Sequence, residues 1–548
     1  MYTRKRDDRK GVVRCLLAIV LVIGMIPAGV FAEGTGGTVA ENNAVAQVGE
    51  TTYETLNAAF DAAKSGDTIT VLKDCDLDTS IAVSKTVTLD LNSKKVTVDI
   101  TGKDASGTAS AFTVAEGAKL SVKNGKIAGK DAVKVNGNGK LTNANIADVR
   151  AIKSTGGNVT LNDVAIYDFA AKTGNGAVVY MDGGTLTVSG GSLGYYDKET
   201  KTYGRNFALN GGAVYADNAA ITIKGTNLFY NNACDPSGEA GQYWYGGGAV
   251  YAQGGTVTLE NNYFFYNQTW DFGGAVHLDQ VKKATLTGNR IRTSMAYNHR
   301  LTAGGSRGGA GGGIYSRLTS DLTIADNTIT GGFTMGSGAG INILGGNGSS
   351  VSLSGNTITK NDAGDRGGGI KLSLSKDCNL SLTSGTISEN TAGNFGGGID
   401  YTTHDMPILK LKNVLISGNE AVRGGGVWAC PTSETKSYAT LGGAIYGNTA
   451  TGQISASLNY GALGASGDEV RYEGKDTPDE FALRSNAASE TTTMSVAKRA
   501  LGGGLMQWYQ DEAGNRYAEG NEEAAESLYT NTDKSFGLHG TLTEEYQK

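Results

Sequence analysis

The hydrophobic residues of this chain fall into short alternating segments through most of its length. From Ile69 to about Asn448 they recur as runs such as VTLDL, VTVDI, LTV and ITI, with Gly, Asn or Asp between the runs. Apolar residues that alternate with polar ones over a few positions indicate half-buried strands. The pattern therefore predicts a chain built from many short strands.

One segment near the start departs from this alternation. Four apolar residues from Leu56 to Ala63 are spaced as on one face of a helix, and Gly66 provides a stop. The spacing predicts an amphipathic helix from Tyr53 to Lys64. Such a helix can cover the open apolar end of a stack of strands.

A fixed repeat organises the strands. Asparagines close a turn phrase every 29 residues at Asn361, Asn390, Asn419 and Asn448, and the alignment gives Asn232 and Asn267 the same role upstream. A second phrase, two or three small residues rich in Gly followed by Val or Ile, ends at Val214, Val250, Val276, Ile314, Ile341, Ile370, Ile399, Val427 and Ile445. A repeat of this length means that one supersecondary unit is stacked on copies of itself.

Three short strands in each period, with no helix between them, do not fit a doubly wound sheet. They fit a parallel β-helix, a solenoid in which each period forms one turn and equivalent residues of successive turns stack. The sequence predicts an all-β chain with this solenoid over residues 51–475, including the cap helix near 53–64. Residues 476–548 are expected to form a small β-rich C-terminal unit with a hairpin that carries Trp508 and Tyr517.

The solenoid explains which residue types recur in the repeat. Glycine suits sharp turns and close backbone approach, and stacked asparagines can bond to one another in a ladder. The Val or Ile after the glycines is expected to point inward, so Ile370, Ile399 and Val427 should form a buried column. By alternation the next residue points outward, and these residues are Tyr215, Tyr251, His277, Tyr315, Asn342, Lys371, Asp400, Trp428 and Tyr446.

The first residues of the chain resemble a secretory signal. A basic start is followed by an apolar run that ends in small residues at Val30 and Ala32, which predicts a signal peptide over 1–32 and a linker over 33–50. The run is shorter than the ~20 residues of a membrane span, so no span is expected after cleavage. We therefore expect a secreted, extracellular or cell-surface protein, in which Cys75, Cys234, Cys378 and Cys430 are too scattered for a disulfide framework.

Composition narrows the class further. The chain has 82 Gly but only 5 Pro, which excludes collagen, and 39% apolar residues are too many for a disordered chain. A net charge of −6 over 548 residues argues against a nucleic-acid partner. Asn and Asp turns such as NDAGD could hold calcium, but no tandem ligand repeat is present and turn chemistry explains them, so no cofactor is predicted.

The two phrases resemble those of a known group. Phe-x-x-Asn, at Phe229 to Asn232 and Phe264 to Asn267, and Gly-Gly-Ala-[Ile/Leu/Val] are similar to repeats of chlamydial polymorphic membrane proteins and of bacterial adhesin-like proteins of the pectin-lyase-like superfamily. The resemblance spans roughly residues 50 to 475 and implies a right-handed parallel β-helix. That superfamily includes lyases, hydrolases, adhesins and phage tailspikes, so the fold alone does not give the function.

The sequence favours a binding role over an enzymatic one. Lyases and hydrolases on this fold need a base or paired carboxylates, and Asp400 is the only carboxylate in the aligned outward column. We therefore predict an adhesin-like protein with a rigid surface for glycans or other cell-surface ligands. A polysaccharide lyase or glycoside hydrolase is the alternative, and the sequence leaves the oligomeric state open.

Aromatic loops between residues 195 and 300 give the candidate binding site. Outward rings with a polar rim suit the apolar faces of sugars, although rings one turn apart can also stack on each other and stabilise the solenoid. Trp244, Tyr245, Trp270 and Phe272 are expected to share one exposed face. The full set of predicted ligand-binding residues is Tyr243, Trp244, Tyr245, Trp270, Phe272, His277, Asp279, Arg292, His299 and Arg300.

Overall fold

The structure is a computed structural model that describes residues 43–102, 107–137, 139–234, 245–297, 308–375 and 377–401, then 409–412, 414–429 and short segments between 434 and 519. The predicted signal peptide and residues 33–42 of the predicted linker lie outside this part of the chain. Within the described residues, no helix has the length and apolar character that a membrane crossing requires.

From Thr185 to Ala429 each described turn contains four strands that pair in parallel with the equivalent strands of the next turn. One turn consists of Ala220–Lys224, Asn227–Phe229, Asn231–Ala233 and Val250–Gln253. We call their outer surfaces, in this order, the long-strand, short-strand, asparagine-strand and glycine-led faces. The chain is thus an all-β parallel β-helix, as the sequence predicts.

The first two faces form one sheet and the other two form a second. The long strands are Thr68–Val71, Thr86–Asp90, Thr185–Ser189, Ala220–Lys224, Thr256–Glu260, Lys283–Thr287, Asp321–Ala325, Ser350–Ser354, Asn379–Thr383, Leu409–Lys412 and Glu434–Ala439. The short strands are Cys75–Leu77, Lys95–Val98, Ser192–Leu193, Asn227–Phe229, Tyr263–Phe265, Arg290–Arg292, Thr328–Thr330, Thr357–Thr359, Thr386–Ser388, Leu415–Ser417 and Ala444–Tyr446. Two strands, Lys119–Gly129 and Asn158–Tyr167, run through both faces.

The second sheet carries the repeat phrases. Its asparagine strands are Phe169–Ala171, Asn206–Ala208, Asn231–Ala233, Gln268–Thr269, Met295–Ala296, Phe333–Thr334, Asp362–Ala363, Thr391–Phe395, Glu420–Arg423 and Thr449–Ala450. Its glycine-led strands are Ile81–Val83, Ala109–Val114, Val149–Thr155, Val179–Asp182, Val214–Asp217, Val250–Gln253, Val276–Asp279, Ile314–Arg317, Ile341–Gly345, Ile370–Leu374, Ile399–Tyr401 and Val427–Ala429.

A short helix lies at the start of the described solenoid. It spans Leu56–Ala62, after the antiparallel strands Ala46–Val48 and Thr51–Tyr53. It is shorter than the predicted 53–64, because Thr55 caps it by accepting a hydrogen bond from the Ala58 N–H and Tyr53 belongs to a strand. Phe60 is buried, with its ring 5.8 Å from that of Phe112. The helix thereby joins the apolar core of the first turns.

The residues that follow the glycines form the predicted inward column. Ile370, Ile399 and Val427 are in register in successive turns, and their exposed fractions are 1%, 0% and 0%. This burial and register confirm the parallel solenoid. The inward column also includes Val179, which pairs with Val214 and lies upstream of the first glycine phrase identified in the sequence.

The last glycine phrase does not belong to this column. Ile445 pairs with Ile416 on the short-strand face, and Tyr446 pairs with Ser417. Ile445 also stands three positions before Asn448, as Ile416 stands before Asn419. The placement of Ile445 and Tyr446 in the glycine-led columns is therefore wrong, because the turn phrase and not the glycine phrase sets their register.

The asparagines stack as a ladder inside the corner between the short-strand and asparagine-strand faces. The Nδ2 of Asn361 donates to Oδ1 of Asn390 at 2.8 Å, and Asn390 and Asn419 repeat this bond to Asn419 and Asn448 at 2.9 Å. All four side chains are buried. Each amide also bonds to the backbone, so the ladder satisfies polar groups at every turn.

One member of the predicted ladder has to be corrected. Asn231, not Asn232, donates to Oδ1 of Asn267, at 3.0 Å, and Asn232 pairs with Gln268 instead. Two consecutive asparagines allow either alignment by sequence. The inward position of Leu228, in register with Phe264, decides it, since Leu228 and Phe264 each stand three residues before the stacked asparagine.

A second ladder, which the sequence analysis did not identify, lies at the corner between the long-strand and short-strand faces. Asn262 donates to Asn289 at 3.0 Å, Asn289 to Asn327 at 2.9 Å, and Asn327 to Asn356 at 3.1 Å. All four residues are buried. Their spacing is irregular because inserted loops separate the turns, and that irregularity hid them from a search for a fixed period.

The glycine phrase owes its composition to close packing between turns. A Cβ on Gly248 would lie 2.0 Å from the carbonyl oxygen of Gly274 in the next turn. Its neighbour Gly247 has a φ of +66°, which is costly for residues with a side chain. The positive φ and the lack of space for a Cβ recur at the same corner of later turns, for example at Gly273 and Gly274. Glycine is therefore required there in each of these turns.

The end of the described chain changes from parallel to antiparallel pairing. Asp479–Arg484 pairs antiparallel with Glu434–Ala439, and Thr493–Ala500 pairs with Gly504–Gln510. Gly504–Gln510 then pairs with Arg516–Glu519, where the sequence predicts a hairpin. The remaining described strands are Ala462–Leu463 and Val470–Arg471.

Candidate functional site

Several predicted ligand-binding residues lie on the glycine-led face, where they are covered. Tyr245 is 3% exposed and His277 is 4% exposed. The half-buried ring of Phe272 stacks on Tyr315 at 4.6 Å between ring centroids. Tyr245 and Phe272 therefore do not form the exposed aromatic face expected here, and Phe272, which precedes a glycine phrase, lies against the ring of His277.

His277 is packed among rings rather than placed for proton transfer. The centroids of Tyr251, Tyr315 and Phe272 lie 4.6, 4.9 and 5.8 Å from its own. Within the described residues neither ring nitrogen has a hydrogen-bond partner. Burial lowers the pKa of His277 to about 3, so the imidazole is neutral at physiological pH.

Asp279, the predicted partner of His277, is held by another residue. Arg317 donates from Nε and Nη2 to its two carboxylate oxygens at 2.8 and 2.9 Å. The hydroxyl of Tyr251 also donates to Asp279, at 3.4 Å. These contacts and its burial remove Asp279, together with His277, from the candidate site.

The whole outward column of this face is in register over nine turns. Its members are Tyr180, Tyr215, Tyr251, His277, Tyr315, Asn342, Lys371, Asp400 and Trp428. The first three rings stack at 5.4 and 5.2 Å. From His277 onward every member is buried, so the predicted outward direction is right but the predicted accessibility is wrong.

Lys371 and Asp400 form a buried ion pair within this column. The Nζ of Lys371 lies 3.0 Å from Oδ1 of Asp400, and their side chains are 9% and 0% exposed. Burial lowers the pKa of Lys371, while the neighbouring Asp400 raises it. Arg366 approaches the other carboxylate oxygen at 3.8 Å. The charges neutralise one another, so this pair offers no free charge to a ligand.

Trp270 supports an insertion in the solenoid. It is half-buried and packs against a second apolar cluster, separate from the main core, made of Val133, Leu141, Ile146, Ala170, Phe207 and Cys234. Tyr243, Trp244, His299 and Arg300 lie outside the described residues. Cys75 and Cys378 are free thiols, the Sγ of Cys234 donates to the carbonyl oxygen of Gly139, and Cys430 lies outside the described residues.

Arg292 is the one predicted residue that leads to an accessible site. It is exposed on the short-strand face, in register with Phe265 of the preceding turn. The turns that precede it on this side of the solenoid carry nine rings that are all half-buried or exposed, which we call the aromatic surface. They are Tyr167, Tyr195, Tyr196, Tyr203, Phe229, Tyr230, Tyr263, Phe265 and Tyr266.

Ring contacts connect seven rings of the aromatic surface into one layer, and Tyr167 and Tyr195 stack on each other as a separate pair. Tyr203 stacks on Tyr230 at 5.0 Å, and Tyr230 meets the edge of Phe265 at 5.6 Å. Phe229 in turn meets Tyr263 at 5.5 Å. Rings at these distances attract one another beyond simple burial of area, so the layer is held in place before any ligand arrives.

Two local features bring the rings to one surface. An inserted hairpin, Tyr195–Tyr196 with Tyr203–Gly204, folds over the edge of the short-strand face, and a Cβ on Gly204 would lie 2.4 Å from the ring of Tyr167. Tyr230 and Tyr266 occupy the corner after the short strand, each with a positive φ. The hairpin adds three tyrosines to the solenoid, and the corner turns two more toward them.

Asp168 lies beneath this hairpin. Its Oδ1 accepts hydrogen bonds from the backbone N–H of Val133 and of Arg205, both at 3.1 Å. Burial raises the pKa of Asp168 to about 6, against these two bonds, which lower it. Asp168, which is half-buried, therefore positions the base of the hairpin through the Arg205 N–H.

Cations surround the rings. The guanidinium of Arg205 lies 4.6 Å from the centroid of Tyr203 and 5.1 Å from that of Tyr230. Arg290 lies 5.6 Å from Tyr263, and Lys126 lies 5.0 Å from Tyr195. These are cation–π distances, so positive charge is held close to the ring faces.

An open groove runs beside the aromatic surface, along the corner with the long-strand face. One section, about 560 Å³, is lined by residues that include Asn124, Lys126 and Asp163, and the next, about 670 Å³, by Asp163, Lys224 and Asn261. The lining is mostly polar. Rings beside a polar groove are an arrangement that suits sugars, which present apolar faces and hydroxyl edges.

Sequence reasoning found the aromatic segment but not these residues. The predicted ligand-binding set omits Phe229, Tyr263 and Phe265. The turn phrase alone does not show which residues of these short strands point inward and which point outward. The alternation around Leu228 and Phe264 carries the missing signal: each inward residue has outward neighbours on both sides. Among the described residues, no cluster of three or more His, Cys, Asp or Glu could hold a metal ion.

Comparison with known proteins agrees with the fold. A family model described as a right-handed β-helix region matches residues 204–421. Searches of curated proteins and of solved structures found no match. The matched residues contain five of the nine rings of the aromatic surface and the turns that follow it up to residue 421, and the chain is a parallel β-helix protein.

Proposed function

We propose that this protein is a secreted or cell-surface binding protein, and that it binds glycans through the aromatic surface. The observation that carries the proposal is a group of nine half-buried or exposed rings on one side of the solenoid, seven of them connected by ring contacts. Contiguous accessible apolar surface rimmed by polar groups is typical of binding sites. The signal-like residues 1–32 support export of the chain.

The rigidity of the solenoid supports the same role. Parallel strands join the turns that carry the rings, and stacked asparagines such as Asn231 with Asn267 and Asn262 with Asn289 add bonds at the corners, so the rings have little freedom to lose when a ligand binds. A surface that is ordered beforehand loses less entropy on binding. Adhesin-like binding to a polymer fits such a scaffold.

A glycan array with the purified mature chain tests this proposal. We expect binding, and we expect Tyr203→Ala with Tyr263→Ala to weaken it at least about tenfold, since each ring contributes on the order of 1 kcal/mol. Tyr180→Ala, the same change on the glycine-led face, is the control and should bind as the unchanged chain does. Absence of any bound glycan, or equal binding by the double variant, would contradict the proposal.

An enzymatic role has one observation in its favour. Asp182 and Asp217 are in register on adjacent turns of the glycine-led face, about 4.8 Å apart along the axis. Burial raises the pKa of Asp217, and the charge of Asp182 adds to this. A pair of carboxyl groups on one face is a feature of glycoside hydrolases. A reducing-sugar assay, with Asp217→Asn as the control, would detect such turnover.

A further inference from the structure

The short-strand face is sorted by chemistry along the solenoid axis. Six successive turns place their outward side chains in two columns, one beginning at Asn227 and the other at Phe229. In order the positions are Asn227 and Phe229, Tyr263 and Phe265, Arg290 and Arg292, Thr328 and Thr330, Thr357 and Thr359, and Thr386 and Ser388. Rings come first, then two arginines, then hydroxyl groups, and none of these positions carries a carboxylate.

The arginines of this face have no acidic partner. Arg290 and Arg292 are exposed, and neither forms an ion pair with any described residue. On the adjacent long-strand face, by contrast, lysines are paired across turns. Lys224 lies 2.7 Å from Glu260, and Lys283 lies 3.6 Å from Asp321. The lysines of the long-strand face are therefore neutralised by acids of the next turn. Arg290 and Arg292, on the short-strand face, have no such partner among the described residues.

This contrast is notable in an acidic protein. The chain carries a net charge of −6, so acids outnumber bases and an unpaired arginine is not the result of a shortage of acids. Lys126 and Arg205 extend the positive region to the other side of the rings. A cationic zone among rings attracts anions and repels cations of similar size.

Carboxylates act on the outer cations of this zone, Asp168 on Arg205 and Asp197 on Lys126, so Arg290 and Arg292 carry its open charge among the described residues. Asp168 lies beneath the hairpin and its pKa is raised by burial, so its charge is partly titrated near pH 6. Asp197 accepts hydrogen bonds within its own turn, from the N–H groups of Glu199 and Thr200. Glu389, at the far end of the face, lies 3.5 Å from Lys360.

We propose that the short-strand face binds an anionic glycan chain. Carboxylate or sulfate groups of the chain pair with Arg290 and Arg292, which can donate two hydrogen bonds each to such oxyanions. Uncharged sugar faces stack on the neighbouring rings, and the threonine hydroxyls meet the chain beyond the arginines. The rows from Phe229 to Ser388 extend over roughly 24 Å, at about 4.8 Å per turn, so the site accommodates an extended chain.

This inference rests on the proposed function and adds the charge of the ligand to it. Arginine is suited to the role because its guanidinium can contact a ring and an oxyanion at the same time. Arg290 is already placed over Tyr263. The anion therefore meets a guanidinium whose orientation is restricted before binding.

A set of dextrans that differ only in charge tests the inference. The full mature chain is measured against dextran, carboxymethyl dextran and dextran sulfate at low and at physiological ionic strength. We expect at least one charged dextran to bind about tenfold or more tightly than dextran, with a preference that shrinks as salt increases. The tighter of the two charged dextrans identifies carboxylate or sulfate as the preferred group.

Two double variants separate a specific site from general attraction. Arg290→Gln with Arg292→Gln should abolish most of the preference for charged dextran. Lys119→Gln with Lys283→Gln removes the same amount of charge from the adjacent long-strand face and should leave the preference unchanged. Thermal melting of both variants checks that the solenoid is intact.

The outcomes distinguish this inference from the proposal on which it rests. Equal binding of neutral and charged dextrans, or equal losses in the two double variants, would overturn the inference. If the glycan array then shows binding without a charge preference, glycan binding stands and only the anionic ligand is wrong. If charged dextrans bind but no glycan of the array does, the face binds polyanions and the proposed glycan function fails.

Discussion

The role of a residue in this solenoid depends on the face it occupies more than on its type. His277 and Arg292 were both predicted as ligand-binding residues within one aromatic segment. His277 is enclosed by rings on the glycine-led face, whereas Arg292 is exposed on the short-strand face. The difference arises because the rings of Tyr251, Phe272 and Tyr315 enclose His277 on the glycine-led face. On the short-strand face, the side chain of Arg292 is left exposed.

His277 should make the protein sensitive to acid. Its pKa is about 3 in the folded chain, below the ordinary value of 6.5, so the unfolded chain binds more protons between these values. The stability that His277 contributes is present above pH 6.5 and is lost as pH falls toward 3. His277→Phe keeps a ring in the stack and should remove this part of the pH dependence.

The measurement is the free energy of unfolding as a function of pH, from chemical denaturation. The difference between the unchanged chain and the His277→Phe variant should grow with pH between about 3 and 6.5. Asp168 acts in the opposite direction in both chains, since its raised pKa makes the folded state more stable at low pH. Parallel curves for the two chains would show that His277 does not titrate on unfolding.

At the scale of elements, the asparagine ladders hold the corners of the turns. Asn390 donates to Oδ1 of Asn419 and to the carbonyl of Ile358, and it accepts from the N–H and the Nδ2 of Asn361. These bonds lie inside the solenoid, where water does not replace them. The ladder therefore links three successive turns through one side chain.

Asn390→Leu should destabilise the protein by about 1 to 3 kcal/mol, because several buried polar groups lose their partners. The effect should appear as a lower midpoint of thermal or chemical unfolding. Asn394→Leu is the matched control, since Asn394 is exposed in the same repeat and bonds only to Asp365 and its own neighbours. An Asn390→Leu midpoint as high as that of the control would contradict a structural ladder.

At the scale of the whole molecule, the solenoid is a one-dimensional stack. Each described turn contacts the turns before and after it, so removing one complete repeat should let its neighbours pair directly. Residues 333–361 make one 29-residue period that contains neither the aromatic surface nor the Lys371–Asp400 pair. Their deletion joins equivalent corners of two turns.

We expect the chain without residues 333–361 to fold, with an unchanged circular dichroism signal per residue and a solenoid shorter by about 4.8 Å. Small-angle scattering measures the length, and melting shows the cooperativity. A deletion of 333–346, about half a turn, should unfold the chain because strands would be brought to the wrong faces. Similar behaviour of the two deletions would contradict the stacked-turn description.

The amount that the sequence determines differs between fold and site. The 29-residue register fixed the solenoid, since a strict period leaves one way to stack inward residues such as Ile370 and Ile399. The repeat gave the wrong alignment at two places where the sequence allows two registers. These are the pair Asn231 and Asn232, and Ile445. At those positions the burial of a neighbouring side chain decides, and a local pattern does not contain that information.

By itself, the sequence determined the strand-rich class, the parallel stacking, the inward columns and the segment rich in aromatic residues. Each of these follows from alternation and spacing along the chain. Only the tertiary structure decided that Tyr245 and His277 are covered while Tyr203, Tyr263 and Arg290 are accessible. Accessibility depends on which loops fold over a face, and contacts between residues distant in sequence set that choice.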